Sequence, residues 1–245
     1  MYDLSIVIPS IRTENWPLLL DSIAKSCTRY TYEVIFVGPH VHDCVNGTIA
    51  NRNVKFIRDL GHPNRCQHIG AILAEGEVVH FGSDDCVYMK GMIDQALDLL
   101  KGKDVVTTNY KEGGNPQIDL SILKCYGNND FGDIEPHWLI FNVAFFQKSF
   151  FDYIGGFDSR YACTCWGHTV LAATAYKNFK KMKIAVLDKP VLECSHMPGL
   201  SGDHAPIHLS FYEDEKLFKK DRFDGNSVND WKRDSSPVWE RRYGS

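Results

Sequence analysis

The chain has 245 residues, 44% of them hydrophobic and 12% aromatic, so it can bury a sizeable core and is too apolar for disorder. A net charge of −4 with no long basic run argues against a general nucleic-acid binder. No stretch approaches the ~20 apolar residues of a membrane span.

The first residues hold Asp3 and a short apolar run closed by Pro9, without the basic start and long apolar core of a secretion signal; the expectation is a cytoplasmic protein. Eight cysteines, none in a CxxC pair, read as reduced thiols, although their even number leaves a disulfide framework open. Leu4–Ile8, closed by Pro9, predicts a buried strand, and residues 14–27 follow with helical spacing. Glu33–Val37, stopped by Gly38-Pro39, and Val54–Ile57 predict two further strands. Residues 64–75 predict a helix that Gly76 ends, and Glu77–Phe81 a fourth strand. Residues 90–101 are helical and Asp104–Thr108 is a fifth strand. Residues 109–135, rich in Gly, Asn and Asp, read as a long loop. Then come an apolar aromatic stretch at Leu139–Phe151, a helix at 167–179, a strand at Ile184–Leu187, a loop with three histidines at 194–208 and a charged helix at 210–222.

Strands alternating with helices indicate an α/β fold with a mostly parallel sheet flanked by helices. Ligands in such sheets bind beyond the carboxyl ends of the strands. Pro9, Gly38-Pro39 and Asp84-Asp85 each lie just past a strand's end and can gather on one edge. The fourth strand runs into Gly82, Ser83, Asp84 and Asp85. Two adjacent carboxylates repel each other unless something positive sits between them. A plain turn is one reading, because Gly, Ser and Asp are turn formers; a divalent cation is the other.

The motifs "LSIVIPS" at 4–10, "YEVIFVG" at 32–38, "GAILAEGEVVHFGSDD" at 70–85, "IGGFDSRY" at 154–161 with "WGH" at 166–168, and "SHMPG" at 195–199 stand in an order that resembles the GT-A glycosyltransferases, especially the inverting family 2. The resemblance covers roughly residues 3–220. It implies one GT-A (Rossmann-like) domain over 1–220, with a nucleotide-sugar-binding half at 1–108, an irregular acceptor half at 109–220 and a tail at 221–245 that packs on the domain. It also implies a nucleotide-sugar donor, UDP-sugar foremost, a saccharide or other hydroxyl acceptor, and Mn²⁺ or Mg²⁺ held by a DxD-type motif.

Carried over residue by residue, the resemblance places Asp85 on the metal and Asp84, with Ser83, toward the sugar or ribose. A divalent ion bridging carboxylate and phosphate oxygens neutralises the leaving diphosphate, and Mg²⁺ usually takes only one or two carboxylates. Pro9, Ser10 and Arg12 line the nucleotide; Arg65 and Gln67 face the diphosphate. The family's base-reading Asp is replaced by Gly38-Pro39, so backbone groups at Gly38 would make that contact. Trp166 is expected over the sugar or acceptor. The family's Glu-Asp pair is also missing. His168 is the expected base, because a histidine can take a proton near neutral pH, and Asp158 is the substitute. His196 completes the metal shell, with His204, beside Asp203, as its competitor. A nucleotidyltransferase would need a glycine-rich basic loop after the first strand, which "PSIRTENW" is not; a non-catalytic nucleotide- or sugar-binding module stays open.

Overall fold

A computed structural model describes residues 2–43, 53–112, 115–117, 140–194 and 205–221. Its strands are β1 (Tyr2–Pro9), β2 (Tyr32–Gly38), β3 (Val54–Arg58), β4 (Gly76–Phe81), β5 (Cys86–Tyr88), β6 (Val105–Glu112), β7 (Asn115–Gln117), β8 (Ala144–Gln147) and β9 (Ile184–Cys194). Its α-helices are α1 (Trp16–Ser26), α2 (Pro63–Ile72), α3 (Met92–Leu100), α4 (Lys148–Tyr153), α5 (Thr164–Asn178) and α6 (Ala205–Asp221), with a 3₁₀ turn at Thr13–Asn15. Among the described residues, no helix is long and apolar enough to cross a membrane.

β1 and β2 are buried along most of their length because both faces of the sheet are covered. Side chains alternate between the faces with the strand period of two. Leu4, Ile6 and Ile8 of β1, with Val34 and Phe36 of β2, pack against α1 and α3 in one core. Val7, Ile35 and Val37 pack against α2, α4, α5 and α6 in the other. Both cores draw residues from each half of the chain.

The described strands form one sheet in the order β3-β2-β1-β4-β8-β6-β9-β5, with β7 added on β6. β3, β2, β1 and β4 are mutually parallel. The second half is mixed: β8 enters antiparallel between β4 and β6, while β9 lies parallel to β6 and antiparallel to β5. In the parallel part, Pro9 lies opposite Val37 and Val7 opposite Phe81. That register brings the segments after β1, β2 and β4 to one edge, as their sequence positions imply.

The opposite end of these strands is pinned by a buried carboxylate. Glu33 accepts from Ser5 Oγ at 2.6 Å and from the Glu75 amide at 2.7 Å, and Lys55 Nζ lies 2.8 Å from it.

Candidate active site

At the carboxyl edge, Asp84 fastens the turn after β4 to the loop after β1. Its Oδ2 accepts from the amides of Ile11 and Arg12, both at 2.7 Å, and from Ser10 Oγ at 3.1 Å. Its Oδ1 accepts from the Arg12 guanidinium, and its backbone carbonyl accepts from Asn15 Nδ2 at 3.1 Å. Ser10 Oγ in turn accepts from Trp16 Nε1 at 2.6 Å, and Trp16 stacks on Phe36 with ring centroids 3.9 Å apart. Asp84 is therefore engaged on both oxygens and holds the loop in place.

Asp85 is the other carboxylate of the pair. Its Oδ1 accepts from Ser83 Oγ, and its Oδ2 lies 3.9 Å from Arg12 Nη1. A guanidinium reaching across from the first loop thus supplies positive charge to the two adjacent carboxylates. A metal ion placed among these residues fits Asp85 and does not fit Asp84. A Mg²⁺-type site needs as few as one carboxylate, with water and phosphate oxygens filling the rest. Among the described residues, no three His, Cys, Asp or Glu side chains gather as a metal site. His196, Asp203 and His204 lie outside the described residues, as do residues 118–139 and the tail beyond residue 221.

Gly38 has a local cause. A Cβ there would lie 1.8 Å from the Ser10 carbonyl oxygen, so β2 approaches the first loop too closely for any side chain. The Gly38 carbonyl already accepts from the Asp59 amide at 3.1 Å. Arg65 on α2 makes a forked ion pair with Asp59, Nε at 3.1 Å from Oδ1 and Nη2 at 3.2 Å from Oδ2. Asp59, just past the end of β3, was not singled out in the sequence, although opposite charges six residues apart around Gly61-His62-Pro63 were there to be read. Gln67 is buried on α2.

The second-half motifs form a glycine turn and the start of a buried helix. Gly155 and Gly156 both have positive φ, +89° and +68°, which suits glycine. Asp158 is fully buried and forked onto Arg160, Oδ2 to Nη2 at 2.8 Å and Oδ1 to Nε at 3.0 Å, while Oδ1 also accepts the Arg160 amide. Asn64 of α2 donates to the carbonyls of Asp158 and Tyr161 at 3.3 and 2.8 Å, and Gly167 is pressed against that same Asn64. Trp166 is 1% exposed and packs on Phe211 and Phe218 of α6 as a core residue.

His168 is 2% exposed, edge-on to Phe157 and Phe81 with centroids 5.1 and 6.1 Å away. Burial pushes its imidazole down to about 4. A general base must reach the proton it removes, and here aromatic rings enclose the imidazole. In this structure His168 has a packed environment and Asp158 closes a turn through its ion pair with Arg160.

Gly156→Ala tests the turn. It forces a left-handed conformation on a residue with a Cβ and sets that carbon 2.7 Å from His68 Cε1. The expected cost is on the order of 2 kcal/mol, read by urea denaturation; a loss of only a few tenths would show that the turn relaxes freely.

No protein-family model and no curated protein matches the sequence. Solved structures do. S. aureus TarS 1–349 in complex with UDP matches with a TM-score of 0.61 at 18% identity, over 98% of this chain and 70% of that one. The same protein in complex with UDP-GlcNAc gives 0.60 at 16%, over 98% and 71%. A structure of TarS not limited to residues 1–349 gives 0.60 at 18%, over 99% of this chain and 44% of that one. The fold is GT-A-like. In this GT-A-like fold, the parallel strands β3-β2-β1-β4 end on the edge where Arg12, Asp84 and Asp85 meet.

Proposed function

We propose that the chain is a glycosyltransferase that takes a sugar from a nucleotide-diphosphate donor, UDP-sugar foremost, and passes it to a hydroxyl acceptor. The observation that carries this reading is the Ser83–Asp85 turn, which lies at the carboxyl edge of β4 and is locked to the loop after β1. It is supported by the likeness in fold to a protein crystallised with UDP and with UDP-GlcNAc.

In the finer form of the proposal, transfer is inverting, of family 2 type, and uses Mn²⁺ or Mg²⁺. Asp85 would hold the ion, with His196 or His204 as a further ligand from the segment after β9. The ion would neutralise the diphosphate as the sugar bond breaks. Asp84 keeps the first loop closed, with Pro9 and Ser10 lining the nucleotide. Arg12 places a guanidinium at the same edge, where a phosphate and the two carboxylates would share it.

An inverting transfer also needs a proton acceptor for the attacking hydroxyl. His168 is enclosed and Asp158 is committed to Arg160. That favours one second reading, a GT-A-like module that binds nucleotide sugar without turning it over.

The test is a thermal-shift panel of UDP, GDP, CDP and dTDP, each with Mn²⁺, Mg²⁺ or EDTA. A ligand that binds the native state raises its stability, by about 2.7 kcal/mol at a hundredfold excess over Kd. A rise for one nucleotide that EDTA erases is the expected result. No rise for any nucleotide sinks both readings. Binding of UDP-GlcNAc without release of UDP in the presence of acceptor sugars selects the module.

A further inference from the structure

Cys86 and Cys194 face each other across the two strands that meet beside the Asp84–Asp85 turn. β5 and β9 run antiparallel with Cys86 opposite Cys194, Val87 opposite Glu193 and Tyr88 opposite Leu192. One step further, the Met89 amide donates to the Val191 carbonyl at 2.8 Å. Opposed residues in an antiparallel pair alternate between hydrogen-bonded and non-hydrogen-bonded positions. Met89–Val191 is of the first kind, so Tyr88–Leu192 is of the second, Val87–Glu193 of the first and Cys86–Cys194 of the second. Non-hydrogen-bonded partners bring their Cα atoms to about 4.5 Å with side chains on one face. A disulfide requires a Cα separation of about 4.4–6.8 Å, so this pair already meets the backbone requirement.

The two thiols differ in access. Cys86 is 4% exposed, and its Sγ donates to the Ser83 carbonyl at 2.9 Å. Cys194 is half-buried and is the thiol that a dissolved reagent meets first.

We infer that Cys86 and Cys194 are a disulfide-forming pair, closed by exchange with a small soluble disulfide such as oxidised glutathione. The Cys194 thiolate attacks one sulfur of oxidised glutathione, forming a mixed disulfide and releasing one glutathione thiolate. Cys86 then gives its proton to solvent, leaves the Ser83 carbonyl and attacks Cys194 Sγ, and the second glutathione departs. Two protein thiols are oxidised and one glutathione disulfide is reduced to two thiols. The new bond fastens the strand that follows Asp85 to the last residue of β9, directly before the segment carrying His196. The inference does not depend on the donor reading.

The test uses the full chain in glutathione buffers of graded poise, quenched with acid, alkylated with iodoacetamide, digested and analysed by mass spectrometry. The expected product is a peptide pair joined through Cys86 and Cys194, with two thiols lost from the titratable total, both restored by dithiothreitol. The oxidised protein should melt at a higher temperature, because the bond closes a loop of roughly a hundred residues in the unfolded chain. Cys194→Ser should leave Cys86 fully alkylated, and Cys86→Ser should stop at a glutathione adduct on Cys194. The inference falls if the native chain shows that adduct with Cys86 still alkylated, if the linkage runs through Cys44, Cys125, Cys163 or Cys165, or if no thiol is lost.

Discussion

Asp84→Ala is expected to destabilise the fold by about 3 kcal/mol, while Asp85→Ala costs about 1 kcal/mol and abolishes metal-dependent nucleotide binding. The two residues are neighbours with the same chemistry, and their partners separate them. Removing Asp84 strands the amides of Ile11 and Arg12, the Ser10 hydroxyl and a guanidinium that has come in from the first loop. Breaking a buried ion pair from one side costs about 3–5 kcal/mol. The low end applies here because Arg12 keeps 16% of its side chain exposed and can turn to water. Asp85 accepts from Ser83 and makes a longer contact with Arg12, without the loop-amide bonds that Asp84 accepts. Urea unfolding gives the first pair of numbers, and UDP titration in Mn²⁺ gives the second. Equal stability losses would show that the loop does not hang on Asp84. Unchanged UDP affinity of Asp85→Ala in Mn²⁺ would remove the ion from Asp85.

The sequence carried the two carboxylates but not what lies between them. Arg12 and Asp84 are 72 residues apart, and no periodicity or spacing connects a loop arginine to a turn that far away. That Arg12 supplies positive charge to both carboxylates is a tertiary fact. The parallel half was legible because β1, β2 and β4 are largely buried and read as mostly apolar runs, each followed by a turn residue. β5 was not, since Cys86-Val87-Tyr88 is too short to show alternation, and its pairing with β9 is what creates it. Gly38 looked like a lost nucleotide contact, yet the first loop leaves no room there for any side chain. In the second half, "GGFD" and "WGH" also have local causes, a left-handed turn and a glycine against Asn64, which the letters alone do not separate from a role toward substrate.

Acid should unfold this protein well above the pH at which its carboxylates protonate. His68, His80 and His168 are buried, and burial brings each imidazole from 6.5 down to about 4. His80 stacks on Phe145 and meets Tyr88 Oη and the Ala144 carbonyl, both at 2.9 Å; His168 sits against Phe81 and Phe157. The folded values lie below the unfolded one, so the fold holds these groups neutral. Their contribution is fully present above pH 6.5 and is lost as the pH falls toward 4. Between pH 7 and 5 the loss is on the order of 2 kcal/mol per histidine, or about 6 kcal/mol for the three, comparable to the whole stability of many domains. Urea midpoints across that range would measure it. His168→Phe, a ring among rings, should keep the fold and flatten the slope by about one proton. The same variant decides what His168 is. A base open to an acceptor hydroxyl would titrate near 6.5 in the native protein and leave the slope unchanged when replaced. An enclosed imidazole binds its proton only on unfolding, and only then does its removal make the protein more tolerant of acid.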